Sequence, residues 1–322
     1  MIFVAVTVTY SNRFKHLKQA INSLVQEGID KIIIVSNGSD EESLNKIKEL
    51  KKELNIVELI DLKKNTGSAN GFYEGIKYAC DNGADYIWLL DDDNKPQKNS
   101  LNILKKEWKK IINDFKEDNL ALLSFRGDRK IYLDAINFNN PRLMLGSDNS
   151  FLGFNLIEKL KHLLNKPIAS EISNKDKGVV SVAPYGGLFF HRDLISKIGL
   201  PDISYYLYGD DYDFTYRITK NSGKIFLIKK SEIIDLEKSF HLIKTKGFNT
   251  RYFNTDSIDR IFYSVRNGIV FEQNFVTNKF IYLINAGFYL GVIFMLLLCK
   301  PKQLWKFKHI VKGVYSAIKK VQ

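Results

Sequence analysis

The chain has 322 residues, 45% of them hydrophobic and 13% aromatic, which supports a proper core and allows one large α/β domain with an appendage or two small domains. Two cysteines, Cys80 and Cys299, are too few for a disulfide framework and suit a reducing compartment. The net charge of +12 resides largely in the tail: eight lysines and no acidic residue follow Glu272, leaving +4 for the rest, so a nucleic-acid partner is not expected and a membrane surface is.

The opening run Met1–Tyr10 lacks a basic segment and a small-residue cleavage site, and reads as a first strand rather than a signal peptide. Further strand-like runs occur at Lys31–Ser36, Ile56–Leu62, Tyr86–Leu90 and Leu120–Phe125, and amphipathic helical patterns at Phe14–Gln26, Glu41–Leu54, Ala69–Asp81 and Leu101–Phe115. Such alternation predicts a mostly parallel sheet covered by helices, with ligands beyond the carboxyl ends of the strands. Three loops there stand out: Thr9–Arg13, Asn65–Gly71 and Asp91–Pro96. From Arg126 to Asp176 the pattern weakens and predicts an irregular, acceptor-facing insertion near the sheet edge. Regular structure is expected again at Val179–Ala183, Leu188–His191, a helix from Arg192 to Ile198, a helix from near Asp211 and a strand at Lys224–Ile228.

Asp91-Asp92-Asp93 ends the apolar run Tyr86–Leu90 and is the most informative feature. Adjacent carboxylates repel and raise one another's pKa, a cost that a divalent cation removes. Hard oxygen ligands suit Mg²⁺ or Mn²⁺, completed by substrate phosphates. The alternative is a solvated acidic turn capping the helix near Ser100. Asn65-Thr66-Gly67-Ser68-Ala69-Asn70-Gly71 opens a helix whose free N–H groups would attract anionic groups, or else is an ordinary turn; it does not match the dinucleotide fingerprint. A second acidic cluster, Gly209-Asp210-Asp211-Tyr212-Asp213, offers either a helix cap or a carboxylate able to take a proton from a hydroxyl. His241 is either structural or the imidazole that a two-aspartate Mn²⁺ site tolerates.

The order of these motifs (N-terminal strand, Asn-x-Gly-x-Ala-x-Gly, Trp-Leu-Leu-Asp-Asp-Asp, Tyr-Gly-Gly-Leu-Phe-Phe, Gly-Asp-Asp-Tyr-Asp-Phe, then His) resembles the family 2 glycosyltransferases of the GT-A fold, in particular the rhamnosyl- and galactofuranosyltransferase-like branch. The resemblance covers residues 1 to about 245 and reaches more weakly to Arg266-Asn267-Gly268. It implies a catalytic domain over 1–250, with a nucleotide-sugar half at 1–125 and an acceptor and catalytic-base half at 126–250, followed by a helical extension at 251–322. It implies that Asp91 and Asp93 hold the metal with His241 as third protein ligand, and that Asp211 is the catalytic base. Thr9, Tyr10, Arg13, Asn37, Asn65, Gly67, Asp91 and Asp92 would meet the nucleotide donor; Gly186, Gly187, Asp210, Arg266 and Asn267 would face the acceptor. Two positions depart from the pattern. Asn37 stands where an acidic residue usually meets the base or ribose, and Gly209 stands where galactofuranosyl enzymes often have Trp. The first leaves a UDP- or dTDP-linked donor open, and the second weakens galactofuranose against rhamnose.

Sugar transfer needs a cation to stabilise the leaving diphosphate and a base to deprotonate the acceptor hydroxyl, the latter worth about 10²–10⁴-fold. In-line attack opposite the diphosphate inverts the anomeric centre. The expected enzyme is thus an inverting, metal-dependent glycosyltransferase acting on a lipid-linked acceptor in bacterial surface polysaccharide synthesis, O-antigen or capsule. Competing readings are a nucleotidyltransferase or phosphohydrolase, and a non-enzymatic basic membrane adaptor. A nucleotidyltransferase would carry a Gly-rich, Lys- or Arg-containing loop after its first strand, where Thr9–Arg13 has no glycine; the adaptor leaves both acidic clusters without purpose.

Phe280–Cys299 is twenty residues without a charge, bounded by Lys279 and Lys300. A single span would put the lysine tail on the side opposite the catalytic domain, against the positive-inside tendency, so an in-plane or re-entrant helix is favoured over a span or a core or dimer helix. Leu304, Phe307, Val311, Val314 and Ile318 recur at helical spacing, with Lys306, Lys312 and Lys319 largely off that stripe, as in a basic amphipathic surface helix. The chain is therefore expected at the cytoplasmic face of the membrane, peripherally attached through these helices. Whether it forms a homo-oligomer is left open.

Overall fold

Nine β-rich residues, Phe3–Ser11, make strand β1 at the centre of a sheet assembled from short apolar segments. The structure, a computed structural model, describes residues 1–164, 175–237 and 251–321. They fall into two compact units, one of Met1–Met144, Ile172–Tyr206 and Asp210–Glu237, the other of Leu145–Glu171, Leu207–Gly209 and Lys238–Gln322.

In the first unit β1 is followed by α1 (Phe14–Gln26), β2 (Lys31–Ser39), α2 (Glu41–Glu53), β3 (Val57–Asp61), α3 (Ser68–Asp81), β4 (Tyr86–Asp91), β5 (Asn94–Pro96), α4 (Ser100–Ile111), β6 (Leu120–Phe125) and α5 (Lys130–Phe138). The second unit takes α6 (Leu156–Leu164); the first resumes with β7 (Lys177–Val180), β8 (Leu188–His191), α7 (Asp193–Ile198), α8 (Asp210–Lys220) and β9 (Lys224–Asp235). α5 lies inside the stretch expected to be irregular, as does α6; helices of nine residues show too little periodicity to stand out from loop signals.

The sheet order is β3-β2-β1-β4-β8-β6-β9-β5, with β7 beside β9. β3, β2, β1 and β4 are parallel, as the β-α alternation requires. Beyond β4 the sheet is mixed rather than mostly parallel, because β8 inserts antiparallel between β4 and β6. β9 continues past Ile228 to Asp235, pairing first with β6 and then with β5. Lys229, Lys230 and Glu232 hide that extension by breaking the apolar run. Tyr86–Leu90 is buried throughout, and Trp88, Leu90, Phe189 and Leu122 join the core from neighbouring strands. Helix α3 seats itself against β1 by having no side chain at Gly71 and Gly75, where a Cβ would lie 2.6 Å from Val8 and 2.4 Å from Val6. Because β1, β2, β3 and β4 run parallel, their carboxyl ends lie on one rim.

The second unit contains α9 (Ile258–Glu272), α10 (Lys279–Leu298) and α11 (Trp305–Val321). Its core joins Phe151, Phe154, Ile261, Val265, Tyr289, Ile293 and Ile310. Polar side chains fix the irregular 149–156 backbone onto the helices. Glu272 accepts from the Leu152 and Gly153 N–H groups at 3.0 Å each, Asn149 Oδ1 accepts from Thr277 and Asn278 at 2.8 and 2.7 Å, and Asn285 bridges Asn149 O and the Leu156 N–H. Each would cost about 1–3 kcal/mol if left buried and unpaired. α11 packs on α9 through Ile310, Gly313 and Ala317, with a Cβ at Gly313 only 3.0 Å from Phe262 O. The apolar stripe behaves differently from a packing face: Leu304, Val311 and Ile318 are exposed and Phe307 and Val314 half-buried. Lys306, expected on the polar side, is buried; its stem covers apolar surface while its ammonium reaches Asp256 at 3.0 Å and Phe253 O at 3.2 Å.

Candidate active site

The carboxyl end of β1 delivers Thr9, Tyr10 and, one turn on, Arg13 to the start of the acidic triplet. Asp92 is buried and already engaged: Thr9 Oγ1 donates to it at 2.8 Å, and Arg13 Nε at 2.8–2.9 Å. The same guanidinium lies 5.3 Å from the Tyr10 ring centroid, 3.7 Å from Asp93 and 2.5 Å from Glu237. Asp92 thus anchors Arg13, and its two neighbours are left to face the recess.

Asp91 and Asp93 belong to a second network. Asn94 Oδ1 accepts the Asp91 N–H at 3.0 Å, and Asn94 Nδ2 reaches Asp93 at 3.3 Å and Asp235 at 2.9 Å. Arg126, buried, donates to Gly186 O at 2.8 Å and Asn94 Oδ1 at 3.2 Å, and lies 3.5 Å from Asp91 and 3.3 Å from Asp235. Arg129 adds a 2.5 Å bond to Asp235. Gly186 exists for this cluster: a Cβ there would fall 1.9 Å from Arg126 Nη2 and 2.2 Å from Asn94 Oδ1. Gly187, at φ +96°, turns the chain into β8.

These environments differ in their electrostatics. Burial pushes the Asp91 and Asp92 carboxyls up, opposed by Arg126 and Arg13 respectively. Asp93 is pushed up to about 7 by burial and by repulsion from Asp91, Asp92 and Asp235, which Arg13 at 3.7 Å offsets only in part. Asp91 keeps 42% of its side chain open and Asp93 18%, so the recess is shielded yet reachable. This donor set fits a hard divalent cation: two reachable carboxylates, one of them short of positive partners, among further acids.

The Asn65–Gly71 loop differs from an open anion cradle. Asn37, buried at the end of β2, accepts from the Thr66 N–H at 2.8 Å and Thr66 Oγ1 at 2.9 Å, and donates to Gly67 O at 2.9 Å. The Gly67 N–H is taken by Asn65 Oδ1 and the Ala69 N–H by Tyr206 O. Gly67, at φ +86°, presses on Tyr206, whose carbonyl oxygen lies 2.1 Å from a hypothetical Cβ. Asn37 is therefore the clamp that shapes this loop, and the glycine lets it approach the Tyr206 backbone closely.

Helix α8 opens with Asp210, Asp211 and Asp213 in its first turn, where the helix dipole favours negative charge. Ser68 donates to Asp210 at 3.0 Å and the Tyr212 N–H to Asp211 at 2.8 Å. Burial, then the charge of Asp91, pushes Asp211 up to about 7; burial and the adjacent Asp211 drive Asp210 well above the carboxylate range. The Tyr185 hydroxyl, buried without a hydrogen-bond partner, lies in the field of both. A carboxylate poised near neutrality and influenced by Asp91 is suited to accept a proton beside the cation recess.

In the first unit the fold thus gathers Thr9, Tyr10, Arg13, Asp91, Asp92, Asp93, Gly186, Asp210 and Asp211 around the carboxyl rim. In the second unit, Asn267 is buried and donates to Leu207 O and Tyr208 O at 2.8 and 2.9 Å, with Arg266 bonded to Asn267 Oδ1 at 2.8 Å. His241 lies outside the described residues. Arg126, Arg129, Asn94, Asp235 and Tyr185 are additions. Arg126 directly follows a strand, so the carboxyl-end rule could have found it; Asp235 was concealed with the hidden half of β9. A further cluster, Glu117, His191 and Asp193, places ligand-type atoms within 4.8 Å. It sits beside Tyr86, at the opposite end of β4, where His191 Nδ1 accepts the Asp193 N–H at 3.3 Å.

A parallel β-α half, an inserted antiparallel strand and an aspartate recess at the carboxyl rim define a GT-A-like α/β fold. Residues 5–115 match the family model for glycosyl transferase family 2. The galactofuranosyltransferase GlfT1 of Mycolicibacterium smegmatis is 23% identical over 223 residues, 68% of this chain and 66% of that protein. GlfT1 of Mycobacterium tuberculosis is 24% identical over 164 residues, covering 49% of this chain and 45% of the relative. The matched stretch thus spans about two thirds or less of these relatives. GalNAc-T7, whose crystal structure holds UDP, GalNAc and Mn²⁺, aligns with a TM-score of 0.53 at 13% identity, over 74% of this chain and 44% of that one, a likeness of fold.

Proposed function

We propose that the chain is an inverting, divalent-cation-dependent glycosyltransferase that moves galactofuranose or rhamnose from a UDP- or dTDP-linked donor to a lipid-linked glycan acceptor, in bacterial surface polysaccharide synthesis (O-antigen or capsule) at the cytoplasmic face of the membrane. The observation that carries it is the pairing of a two-carboxylate recess, Asp91 and Asp93, with Asp211, a separate carboxylate pushed up to about 7 by burial and by Asp91. The family match and the galactofuranosyltransferase relatives support the reaction class and keep galactofuranose in play, although Gly209 departs from that branch.

Asp91 and Asp93 would hold Mn²⁺ or Mg²⁺, which when bound supplies Lewis-acid stabilisation of the leaving diphosphate. Arg126 and Asn94 hold Asp91 in place, while Arg13, fixed on Asp92, brings a guanidinium to the rim where diphosphate charge accumulates. Asp211 takes the proton of the acceptor hydroxyl as its oxygen bonds to the anomeric carbon on the face opposite the diphosphate, inverting that centre. Ser68 fixes Asp210, leaving Asp211 as the proton acceptor. Asp210 is buried and Asp211 half-buried, which limits the water that can compete at the base.

The test is donor hydrolysis and binding across a panel of nucleotide sugars, with and without Mn²⁺, on wild type, Asp93→Ala and Asp211→Asn. The reading expects cation-dependent use of one donor, lost in Asp93→Ala, and retained donor binding without transfer in Asp211→Asn. No binding to any donor, with the variants indistinguishable from wild type, would overturn it.

A further inference from the structure

Two faces of the C-terminal helices are left bare by their own unit. α10 attaches through Tyr282, Asn285, Tyr289, Ile293 and Leu297, a stripe that runs its whole length. Its outer side shows Phe280 (72% exposed), Leu283 (66%), Phe288 and Met295 (63%). A Cβ at Gly287 or Gly291 would meet no atom within 4 Å, and the gap forms a shallow apolar groove of about 460 Å³ beside Phe288 and Met295. α11 likewise presents Val311, Tyr315 and Ile318, four and three apart and hence on one face, with exposed Leu304 just ahead of its first residue. Exposed Lys300, Lys302, Lys308, Lys312 and Lys319 lie on and between these helices, in a stretch of sequence with no acidic residue after Glu272.

We infer that the outer faces of α10 and α11 dock in the plane of an anionic lipid surface, α10 lying at the boundary of headgroups and acyl chains without crossing the bilayer. This deepens the membrane part of the reading above. α10 has the length and composition of a span. Its packed stripe, however, begins at Tyr282 and Asn285 against Glu272, Asn149 and the irregular 149–156 backbone. Such backbone does not enter hydrocarbon facing lipid, so the helix stays alongside its unit. The lysines match anionic headgroups, each worth about 1 kcal/mol near the surface. A second copy of the chain would instead bring lysine-rich faces together, although the Gly287-x-x-x-Gly291 spacing permits close helix packing.

The experiment uses the full chain with sealed vesicles of phosphatidylcholine alone or with phosphatidylglycerol. Binding should be at least about tenfold tighter to the anionic vesicles, fall as salt rises, and be lost in Leu283→Glu and in Met295→Glu. For sidedness, Cys80→Ser leaves exposed Cys299 as the sole thiol at one end of α10, and Phe280→Cys adds one at the other. An impermeant thiol reagent outside the vesicles should reach both. Protection of one end marks a span and overturns the inference. So does equal binding to neutral vesicles, or a concentration-dependent dimer, abolished by Gly291→Leu, without vesicle binding. Donor hydrolysis in lipid-free buffer separates the two readings: hydrolysis without vesicle binding sinks this inference alone, and vesicle binding without hydrolysis sinks the other.

Discussion

Ionising Asp93 in cation-free protein should destabilise the fold. Burial, Asp91, Asp92 and Asp235 raise its carboxyl from 3.8 to about 7. At 1.36 kcal/mol per unit this corresponds to at most about 4 kcal/mol between the ionised folded and unfolded chains. With its folded value above its unfolded one, Asp93 binds its proton more tightly when folded. The cost is therefore absent below about pH 4, builds between about 4 and 7, and is complete above about 7. Asp211, also raised to about 7, titrates in the same window. For a unit of this size one kilocalorie is worth roughly 2–4 °C. Asp93's share of the fall in melting temperature of chelator-treated protein, followed by circular dichroism, should thus reach about 8–16 °C between about pH 4 and pH 7. Asp93→Asn should lose that share, about half of the total slope, with Asp211 carrying the rest, and Mn²⁺ should restore wild type, but not the variant, at alkaline pH. Equal slopes in wild type and Asp93→Asn, or a melting temperature that rises across the window, would refute the reasoning.

Two further perturbations address neighbouring parts of the rim. Gly186→Ala forces a methyl into the space of Arg126 Nη2 and Asn94 Oδ1; breaking these buried bonds should cost about 2–4 kcal/mol and reduce donor turnover at least about 100-fold, read from melts and hydrolysis rates. Asn37→Ala removes the clamp on Thr66 and Gly67, and should raise KM for the donor about tenfold with a smaller change in kcat; an unchanged KM would show that the loop holds its shape without Asn37.

The legible parts of this chain are those whose signals are local. Strand and helix periodicities place β1 to β4 and α1 to α4 within a few residues, and the triplet at the end of β4 marks the rim. What escaped depends on distant partners. β8 enters the sheet between two strands that lie far earlier in the chain, and the Arg126–Asp235 pair joins residues 109 apart. The bonds from Asn37 to Thr66 and Gly67, 29 and 30 residues on, are likewise invisible in the sequence. Periodicity on α11 picks out an apolar stripe but cannot say that Ile310, Gly313 and Ala317 make the contact with α9 and leave most of that stripe outside.

The contact between Gly67 and Tyr206 bears on how this scaffold can be re-engineered. Residues on either side of that contact, the Asn65–Gly71 loop and the turn before α8, are locked by Gly67 against the Tyr206 carbonyl, by the Ala69 N–H on the same oxygen and by Ser68 on Asp210. A loop grafted from a relative with a different donor preference carries its own spacing at this seam. Transplanted alone it would displace the helix that bears Asp211; transplanted with the matching 203–211 segment it keeps the seam intact. The Asn65–Gly71 loop and the start of α8 are therefore exchanged as one cassette.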